Sequence, residues 1–300
     1  MGDLTPVFSI AYGDSGVGKS TDQLLAFPTA WFLCLKGADK PGYQFGIRPT
    51  VVVVSTLADV VVILQHIQAM PVETRPPAVI VDDLTLLAER TYAVLRVQYP
   101  KSQTFAFWDS VKAEVHAVRD LARVMDIHVL CSAHAVVPDI DQNDQYHKGG
   151  PTMPGRKMRS AIPHMADEVY MCELEPGREP WPGVYRCEPD PEWHMKSRLG
   201  LIRGRAPMNI RELWRRRGYV CPRLPGQEWQ DGVADTVAAK IIGGGEPWID
   251  IWNRAEVQLT AKGIAPGLVY WALRDGVDRA TLAKSHTLLG RFQPSDEKKE

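Results

Sequence analysis

The chain has 300 residues, of which 45% are hydrophobic and 24% are charged, and its formal net charge is −1 at pH 7. These values are typical of one large globular domain, or of a domain of about 200 to 220 residues with a small appendage. The near-zero charge excludes a small, uniformly basic nucleic-acid binder, so any DNA contact must come from local loops.

The cysteines and the apolar runs indicate the compartment. The five cysteines have no C-x-x-C spacing and lie mostly in apolar runs, which is typical of free thiols in a reducing cytoplasm and argues against a zinc site. The most apolar long run, residues 51–64, is interrupted by Ser55, Thr56 and Asp59. We therefore expect a cytoplasmic protein without a membrane segment or an export signal.

The first predicted element is a β-strand over residues 7–12, which are apolar. A match to G-x-x-x-x-G-K-[ST] follows at residues 13–20, and residues 22–26 can be helical. Glycines in such a loop let successive N–H groups point inward, and the helix adds the positive end of its dipole, which makes an anion cradle. We expect ATP and Mg²⁺ here, with Lys19 reaching the β- and γ-phosphates and Ser20 ligating the metal. The predicted nucleotide-binding residues are Gly13, Asp14, Ser15, Gly16, Val17, Gly18, Lys19, Ser20 and Thr21.

The next elements repeat a strand–helix alternation. Residues 31–36 and 50–55 are short apolar runs that predict buried strands, and residues 57–69 predict a helix. This alternation indicates an α/β fold with a mainly parallel sheet.

Residues 78–83 form an apolar run that ends in two carboxylates, about 60 residues after the phosphate loop, as a Walker B strand does. The carboxyl end of a buried parallel strand lies at the sheet edge where ligands bind. We assign Asp82 to Mg²⁺. Two roles stay open for Asp83, which either orients or deprotonates the attacking water or caps the helix that begins at Leu84.

Helices are predicted over residues 84–99 and 105–125, followed by a buried strand over residues 127–134 that ends at His134. His134 either senses the γ-phosphate through a hydrogen bond or anchors the following loop.

Residues 135–163 have no apolar period and contain four prolines and three glycines, which is typical of a long functional loop. We expect a flexible arm that touches a phosphate backbone through Lys148, Arg156, Lys157 and Arg159, with a solvated surface loop as the alternative. Residues 167–174 and 184–188 then predict an antiparallel hairpin at the sheet edge. Lys196 and Arg198 follow it, two residues apart and on the same side if the segment is extended.

The composition changes near residue 228. Four of the nine tryptophans lie beyond it, at Trp229, Trp248, Trp252 and Trp271, and Gly243–Gly245 predicts a hinge. Short helices are expected near residues 247–261, 266–275 and 278–290. We expect a core over residues 1–227 and a small helical extension over residues 228–300 that packs, contacts another subunit or binds a protein partner. DNA reading by a helix-turn-helix near residues 268–289 is the alternative.

Together these motifs resemble RecA-like P-loop ATPases. More narrowly, residues 5 to about 215 resemble the phage-encoded nucleotide-binding proteins of the Sak-type single-strand annealing and recombination group, through GGPTMPGRK before the hairpin and WHMKSR after it. If the protein is phage-encoded, as that resemblance implies, the expected compartment is the cytoplasm of the host.

The resemblance implies a RecA-like fold that binds ATP between subunits of a ring or filament. It also implies that Lys196 and Arg198 reach into a neighbour's site and that the basic loop over residues 147–159 contacts DNA. RecA-like enzymes use a glutamate as catalytic base beside the Walker B strand, whereas no glutamate lies there in this sequence, so Asp39 or Asp83 would serve instead. A shorter carboxylate implies slow hydrolysis, or nucleotide used mainly as an assembly switch.

We therefore expect an Mg²⁺- and ATP-dependent oligomer that acts on single-stranded DNA in recombination or replication. The alternatives are a hexameric translocase, of helicase or packaging type, and a scaffold or loader that is locked by nucleotide and binds its partner through residues 228–300.

Overall fold

The computed structural model describes residues 6–45, 47–125, 127–177, 182–202, 204–219 and 221, and scattered residues between 249 and 278. The chain divides into two compact units, residues 1–222 and 223–300. The predicted boundary between residues 227 and 228 lies outside the described residues, as do Trp229, Trp248, Trp252 and Trp271, and stays a prediction. In the second unit, the described residues from 249 to 257 are helical, where a helix is expected.

The first half of the larger unit alternates strands and helices. Its elements are β1 (Phe8–Gly13), α1 (Lys19–Ala26), β2 (Trp31–Cys34), β3 (Thr50–Val53), α2 (Leu57–Ala69), β4 (Ala78–Asp82), α3 (Leu84–Gln98), α4 (Thr104–Val124) and β5 (His128–Ala133). The second half is richer in short strands. It contains β6 (Ala135–Val136), β7 (Asp139–Ile140), β8 (Tyr146–His147), β9 (Gly150–Pro151), α5 (Arg156–Met165), β10 (Glu168–Leu174), β11 (Gly183–Cys187), β12 (Lys196–Ser197), β13 (Gly204–Pro207) and α6 (Ile210–Arg215).

The central sheet has the order β13-β11-β10-β1-β5-β4-β2-β3, and β12 pairs with β10 beside this row. The strands from β10 through β3 run parallel to one another. The central strands are buried along almost their whole length, as the uninterrupted apolar runs in the sequence predict. The expected α/β class with a mainly parallel sheet is confirmed.

Helices pack on the sheet and bury its apolar face. Phe8, Ile10 and Tyr12 of β1 share one core cluster with Val115 of α4 and Ile162 of α5. Each large side chain that is fully buried contributes about 1.5 to 3 kcal/mol. The packing fixes where the carboxyl ends of the strands lie.

Every helix in the described part of the chain is too short or too polar to span a bilayer.

The register of the sheet sets the position of the polar strand ends. Tyr12 of β1 pairs with Ala133 of β5, and Val81 of β4 pairs with Cys131 of β5. The phosphate loop after β1, the carboxylates that end β4 and the residues that end β5 therefore meet at one edge of the sheet.

The expectation of a flexible arm over residues 135–163 is corrected. β6 pairs with β9, β7 pairs with β8, and α5 occupies residues 156–165. Asp141 stabilises the tight β7–β8 turn, because its carboxylate accepts hydrogen bonds from the backbone N–H groups of Asn143 and Gln145. Proline and glycine here mark tight turns within a folded segment.

The predicted hairpin forms from β10 and β11, but it is not the edge of the sheet. β10 pairs with β1 on its other side, and β13 lies beyond β11. Sequence analysis predicts no element over residues 200–227, where the structure has β13 and the short helix α6. Asn209 caps α6 by accepting a hydrogen bond from Glu212 N.

Candidate nucleotide site

The phosphate loop joins β1 to α1, as its motif predicts. Gly13 lies so close to β10 that a Cβ would overlap the carbonyl oxygen of Cys172. Gly16 and Gly18 have φ angles of +83° and +99°, a region that residues with side chains rarely adopt. Gly18 is also the N-cap of α1, so the loop ends with the N–H groups of the first helical turn. The backbone therefore has the shape of an anion cradle.

Lys19 is held against the phosphate loop. Its side chain is buried, and Nζ donates hydrogen bonds to the carbonyl oxygens of Gly13 at 2.9 Å and Asp14 at 2.7 Å. These bonds fix the ammonium group over the loop, where the predicted phosphate contacts would be made. The structure thus places the positive charge where the motif requires it.

Asp82 accepts hydrogen bonds from two serine hydroxyls on the side of the site where the metal is predicted. Ser20 Oγ donates to Asp82 Oδ1 at 2.5 Å, and Ser132 Oγ donates to the same oxygen. The predicted pair of Ser20 and Asp82 is thus brought together across 62 positions of sequence. A hydroxyl and a carboxylate are hard oxygen donors, so these residues fit Mg²⁺. Ser132 was missed, because inside an apolar strand it resembles any buried serine.

Asp83 follows Asp82 through a cis peptide bond and faces the same edge. Its Oδ1 accepts a hydrogen bond from Leu86 N at 3.1 Å, which makes it the N-cap of α3. Its Oδ2 lies 3.0 Å from His134 Nε2, and the imidazole is 40% exposed. Burial raises the pKa of the Asp83 carboxyl above its usual range, although the nearby His134 opposes that shift. The cap is therefore observed, and it leaves lone pairs free on the carboxylate.

These groups line one open cleft with a volume of about 310 Å³, within the size range of small-molecule sites. Its walls are Ser15, Gly16, Gly18, Lys19, Ser20, Thr21, Leu35, Ala38, Pro41, Asp82, Asp83, Leu86 and His134. The walls combine a cation, backbone N–H groups and two carboxylates, which is the donor set that a nucleoside triphosphate with a divalent cation requires.

The described residues lining this cleft include no glutamate, in agreement with the sequence. Asp39, one of the two proposed substitutes, lies between the cleft residues Ala38 and Pro41. Tyr43 Oη donates to Asp39 Oδ2 at 2.8 Å, and this bond lowers the pKa of Asp39. Because a lower pKa makes a carboxylate a poorer proton acceptor, the directions of these two pKa shifts favour Asp83 over Asp39 as the base.

Lys196 and Arg198 lie toward the amino ends of the parallel strands, whereas the cleft lies at their carboxyl ends. Lys196 pairs with Val169, which pairs with Ile10 near the start of β1, about 10 Å along the strand from Gly13. Neither residue lines the cleft of its own chain. The expected common orientation of the two side chains does not give them common partners.

Each of these two cations has a partner within the chain. Lys196 Nζ donates to the carbonyl oxygens of His164 at 3.1 Å and Ala166 at 2.7 Å, at the end of α5. Burial lowers the pKa of Lys196. Arg198 Nη1 donates to Asp167 Oδ1 at 3.0 Å, and its side chain is 49% exposed.

The four residues predicted to contact DNA differ in accessibility. Arg159 is buried and donates to Asp139 Oδ1 at 2.6 Å, so the expectation that it meets a phosphate backbone is corrected. An arginine facing inward between α5 and the β7–β8 hairpin has the same sequence context as a surface arginine. Lys148 is half-buried and donates to the carbonyl oxygen of Asp190 at 2.8 Å. The side chains of Arg156 and Lys157 lie outside the described residues.

Comparison with known proteins gives one family. Residues 6–199 match the family AAA_24, described as an AAA domain, which is more than half of the chain. The chain has no match among curated proteins. A solved structure titled "Crystal structure of the RadB recombinase" is similar at 13% identity and a TM-score of 0.40, covering 61% of this chain and 81% of that one. The assignment follows from the family match and the residues of the cleft. The chain belongs to the AAA domain family AAA_24, and it is an α/β P-loop ATPase.

Proposed function

We propose that this ATPase requires Mg²⁺, works as an oligomer and acts on single-stranded DNA in recombination or replication of the phage type. The observation that carries the ATPase part is the meeting of Lys19, Ser20, Asp82, Asp83 and His134 around one cleft. The cytoplasm, of the host if the protein is phage-encoded, is the compartment where such an activity would be needed.

In this mechanism three groups of cleft residues act on the phosphates, the cation and the attacking water. The loop N–H groups and Lys19 hold the phosphates, and Ser20 and Asp82 hold the cation, which when bound supplies charge neutralisation at the phosphate oxygens. Asp83 accepts the proton of the attacking water, or orients that water together with His134. The raised pKa of Asp83 supports the base role, because a higher pKa makes a carboxylate a stronger proton acceptor.

The oligomer is proposed from the position of Arg198. About half of its side chain is exposed, and it lies toward the amino ends of the parallel strands, away from its own phosphate loop. Arg198 could therefore serve phosphoryl transfer only in a neighbour's cleft. An arginine supplied in this way contributes about 10³ to 10⁵ in rate in well-studied enzymes. Lys196 supports the same role indirectly, because its bonds to the end of α5 fix β12, the strand that Arg198 directly follows.

The DNA contact is proposed for the segment over residues 147–159, which carries Lys148, Arg156 and Lys157. Two features that the sequence did not indicate support it. Ile140 and Tyr146 lie opposite each other across the β7–β8 hairpin and are 67% and 51% exposed. An exposed aromatic ring in the same short segment as lysine and arginine suits single strands, since bases stack on such rings while cations meet the backbone.

Steady-state ATP hydrolysis of the wild type and of Arg198→Ala, measured with and without single-stranded DNA at several protein concentrations, tests this proposal. We expect turnover to rise with both DNA and concentration, and to fall by at least about 10³-fold in the variant. Arg205→Ala is the matched control, because Arg205 is 48% exposed and also pairs with a carboxylate, Glu173 at 2.9 Å.

The same experiment separates the rival functions. Turnover that ignores DNA and concentration, with Arg198→Ala equal to Arg205→Ala, would overturn the shared site and favour a scaffold that is locked by nucleotide. Deleting residues 223–300 should then abolish partner capture and leave ATP binding intact. DNA-stimulated turnover with processive strand displacement would instead identify a translocating motor.

A further inference from the structure

A buried threonine joins the cleft to the folded segment that follows β5. Thr85, in the first turn of α3, is 3% exposed, and its hydroxyl is used both ways. It accepts a hydrogen bond from His134 N at 3.0 Å and donates one to the carbonyl oxygen of Thr152 at 3.0 Å. Thr152 N donates back to the carbonyl oxygen of His134 at 2.8 Å. The three residues therefore form a closed ring of hydrogen bonds.

The ring fixes His134 from its backbone. His134 directly follows the last residue of β5, and its imidazole extends from there to Asp83 Oδ2. Asp83 caps the helix that carries Thr85. The Thr85 hydroxyl thus ties the helix that Asp83 caps to the backbone of His134.

The far side of the ring leads away from the nucleotide. Thr152 follows β9, and Gly149 just before β9 exchanges backbone hydrogen bonds with Glu192 O at 2.7 Å and with His194 N at 2.9 Å. Gly149 also lies against the ring of Trp193, where a Cβ would come within 2.6 Å of Cε3. Trp193 in turn stacks on Tyr12 at the end of β1, with ring centroids 6.3 Å apart. The segment from His134 to Thr152 is therefore joined to the cleft by the ring of hydrogen bonds, and Gly149 packs it against Trp193.

We infer that Thr85 is a positioning residue that holds His134 in the cleft and transmits nucleotide binding to residues 134–152. Its catalytic consequence rests on the proposed function. Hydrogen-bond networks of this kind carry energetic coupling between sites, and small misplacements of a reacting group cost about 10²-fold in rate. Thr85 itself touches no reacting atom.

The test compares Thr85→Val, which keeps the shape but removes both hydrogen bonds, with Thr85→Ser, which keeps the hydroxyl. Thr91→Val is the matched control. Thr91 lies on the same helix with the same 3% exposure, accepts a bond from Leu57 N and donates one to Leu87 O, both at 2.8 Å, but it does so away from the cleft. Comparing Thr85→Val with Thr91→Val therefore separates a specific effect at the cleft from a general loss of stability.

In ATP hydrolysis we expect Thr85→Val to lower kcat by about 10- to 100-fold while KM for ATP stays within about twofold, because the phosphate loop is untouched. Thr85→Ser should recover most of that loss, and Thr91→Val should resemble the wild type. Equal kcat in the two valine variants would overturn the positioning role.

Hydrogen exchange supplies a readout that needs no turnover. With Mg²⁺ and a non-hydrolysable ATP analogue, amides in residues 134–152 should exchange several-fold more slowly in the wild type and in Thr91→Val, but not in Thr85→Val. If the wild type binds the analogue and this segment does not respond, the transmission is overturned. If it responds and ATP is not hydrolysed, the proposed catalysis fails and the coupling stands.

Discussion

Ser20 Oγ and Asp82 Oδ1 lie 2.5 Å apart, although the two residues are 62 positions apart in the sequence. The contact exists because β1, β5 and β4 are neighbours that run in the same direction. It places the two expected metal ligands within reach of one cation.

The second donor to Asp82 gives the first prediction. Ser132→Ala should weaken Mg²⁺-dependent nucleotide binding by about 10- to 100-fold, because Asp82 loses a hydrogen bond that fixes its orientation. Titration of Mg²⁺ at fixed nucleotide measures the effect. Ser9→Ala is the control, since the buried Ser9 hydroxyl has no hydrogen-bond partner in the described part of the chain. A normal Mg²⁺ response in Ser132→Ala would show that Ser20 alone orients Asp82.

The two roles of Asp83 can be separated by one substitution. Asn caps helices as well as Asp does, so Asp83→Asn should keep α3 intact while removing the proton acceptor. We expect kcat to fall by about 10²-fold or more with ATP affinity retained. His134→Gln should have the smaller effect. Near wild-type turnover in Asp83→Asn would leave the helix cap as its main role.

Buried Glu168 gives a pH-dependent prediction. Burial raises the pKa of its carboxyl, although bonds from Leu199 N and Tyr170 Oη oppose that shift. A raised folded-state pKa means that the stabilisation is complete below the unfolded pKa of about 4.3 and is lost as the pH rises through the folded value. Because Gln stays neutral and can keep both contacts, Glu168→Gln should gain stability relative to the wild type as the pH rises above about 4.3. Thermal unfolding of both proteins across this range measures the difference, and parallel curves would contradict the prediction.

Lys196 and Arg198 should differ in their effect on folding. Lys196→Met removes the cation from two carbonyl oxygens at the end of α5 and should cost about 1 kcal/mol in the free energy of unfolding. Arg198→Ala breaks a half-exposed ion pair and should cost less than about 0.5 kcal/mol. Urea unfolding of both variants decides this. A larger loss in Arg198→Ala would make Arg198 primarily a structural residue.

The parts of the site that follow one another in the sequence were predictable. The phosphate loop requires particular glycines, and an apolar run ending in Asp82 specifies both a buried strand and a carboxylate at its end. The contact of Ser20 with Asp82 follows once both strands belong to one parallel sheet. These predictions depend on local chemistry and on one rule of topology.

The rest depends on packing that no local pattern encodes. Ser132 and Thr85 are ordinary small polar residues in the sequence, and only the fold brings them into contact with the cleft residues Asp82 and His134. Arg159 has the sequence context of a surface cation, yet α5 turns it toward Asp139. The segment around it appeared unstructured because its strands have two residues each, too few to show a period.

The cleft lies at the carboxyl ends of the parallel strands and Arg198 lies toward their amino ends, so each subunit has two different ends. Two copies related by a two-fold axis present the same surface to each other, so such a pair cannot bring the arginine of each to the cleft of the other unless both lie on one face. If Arg198 completes a neighbour's cleft, an open row of subunits always ends in one incomplete cleft, whereas a closed row has none. The specific activity per subunit would then be lower in short open rows, which have more ends per subunit, than in closed ones.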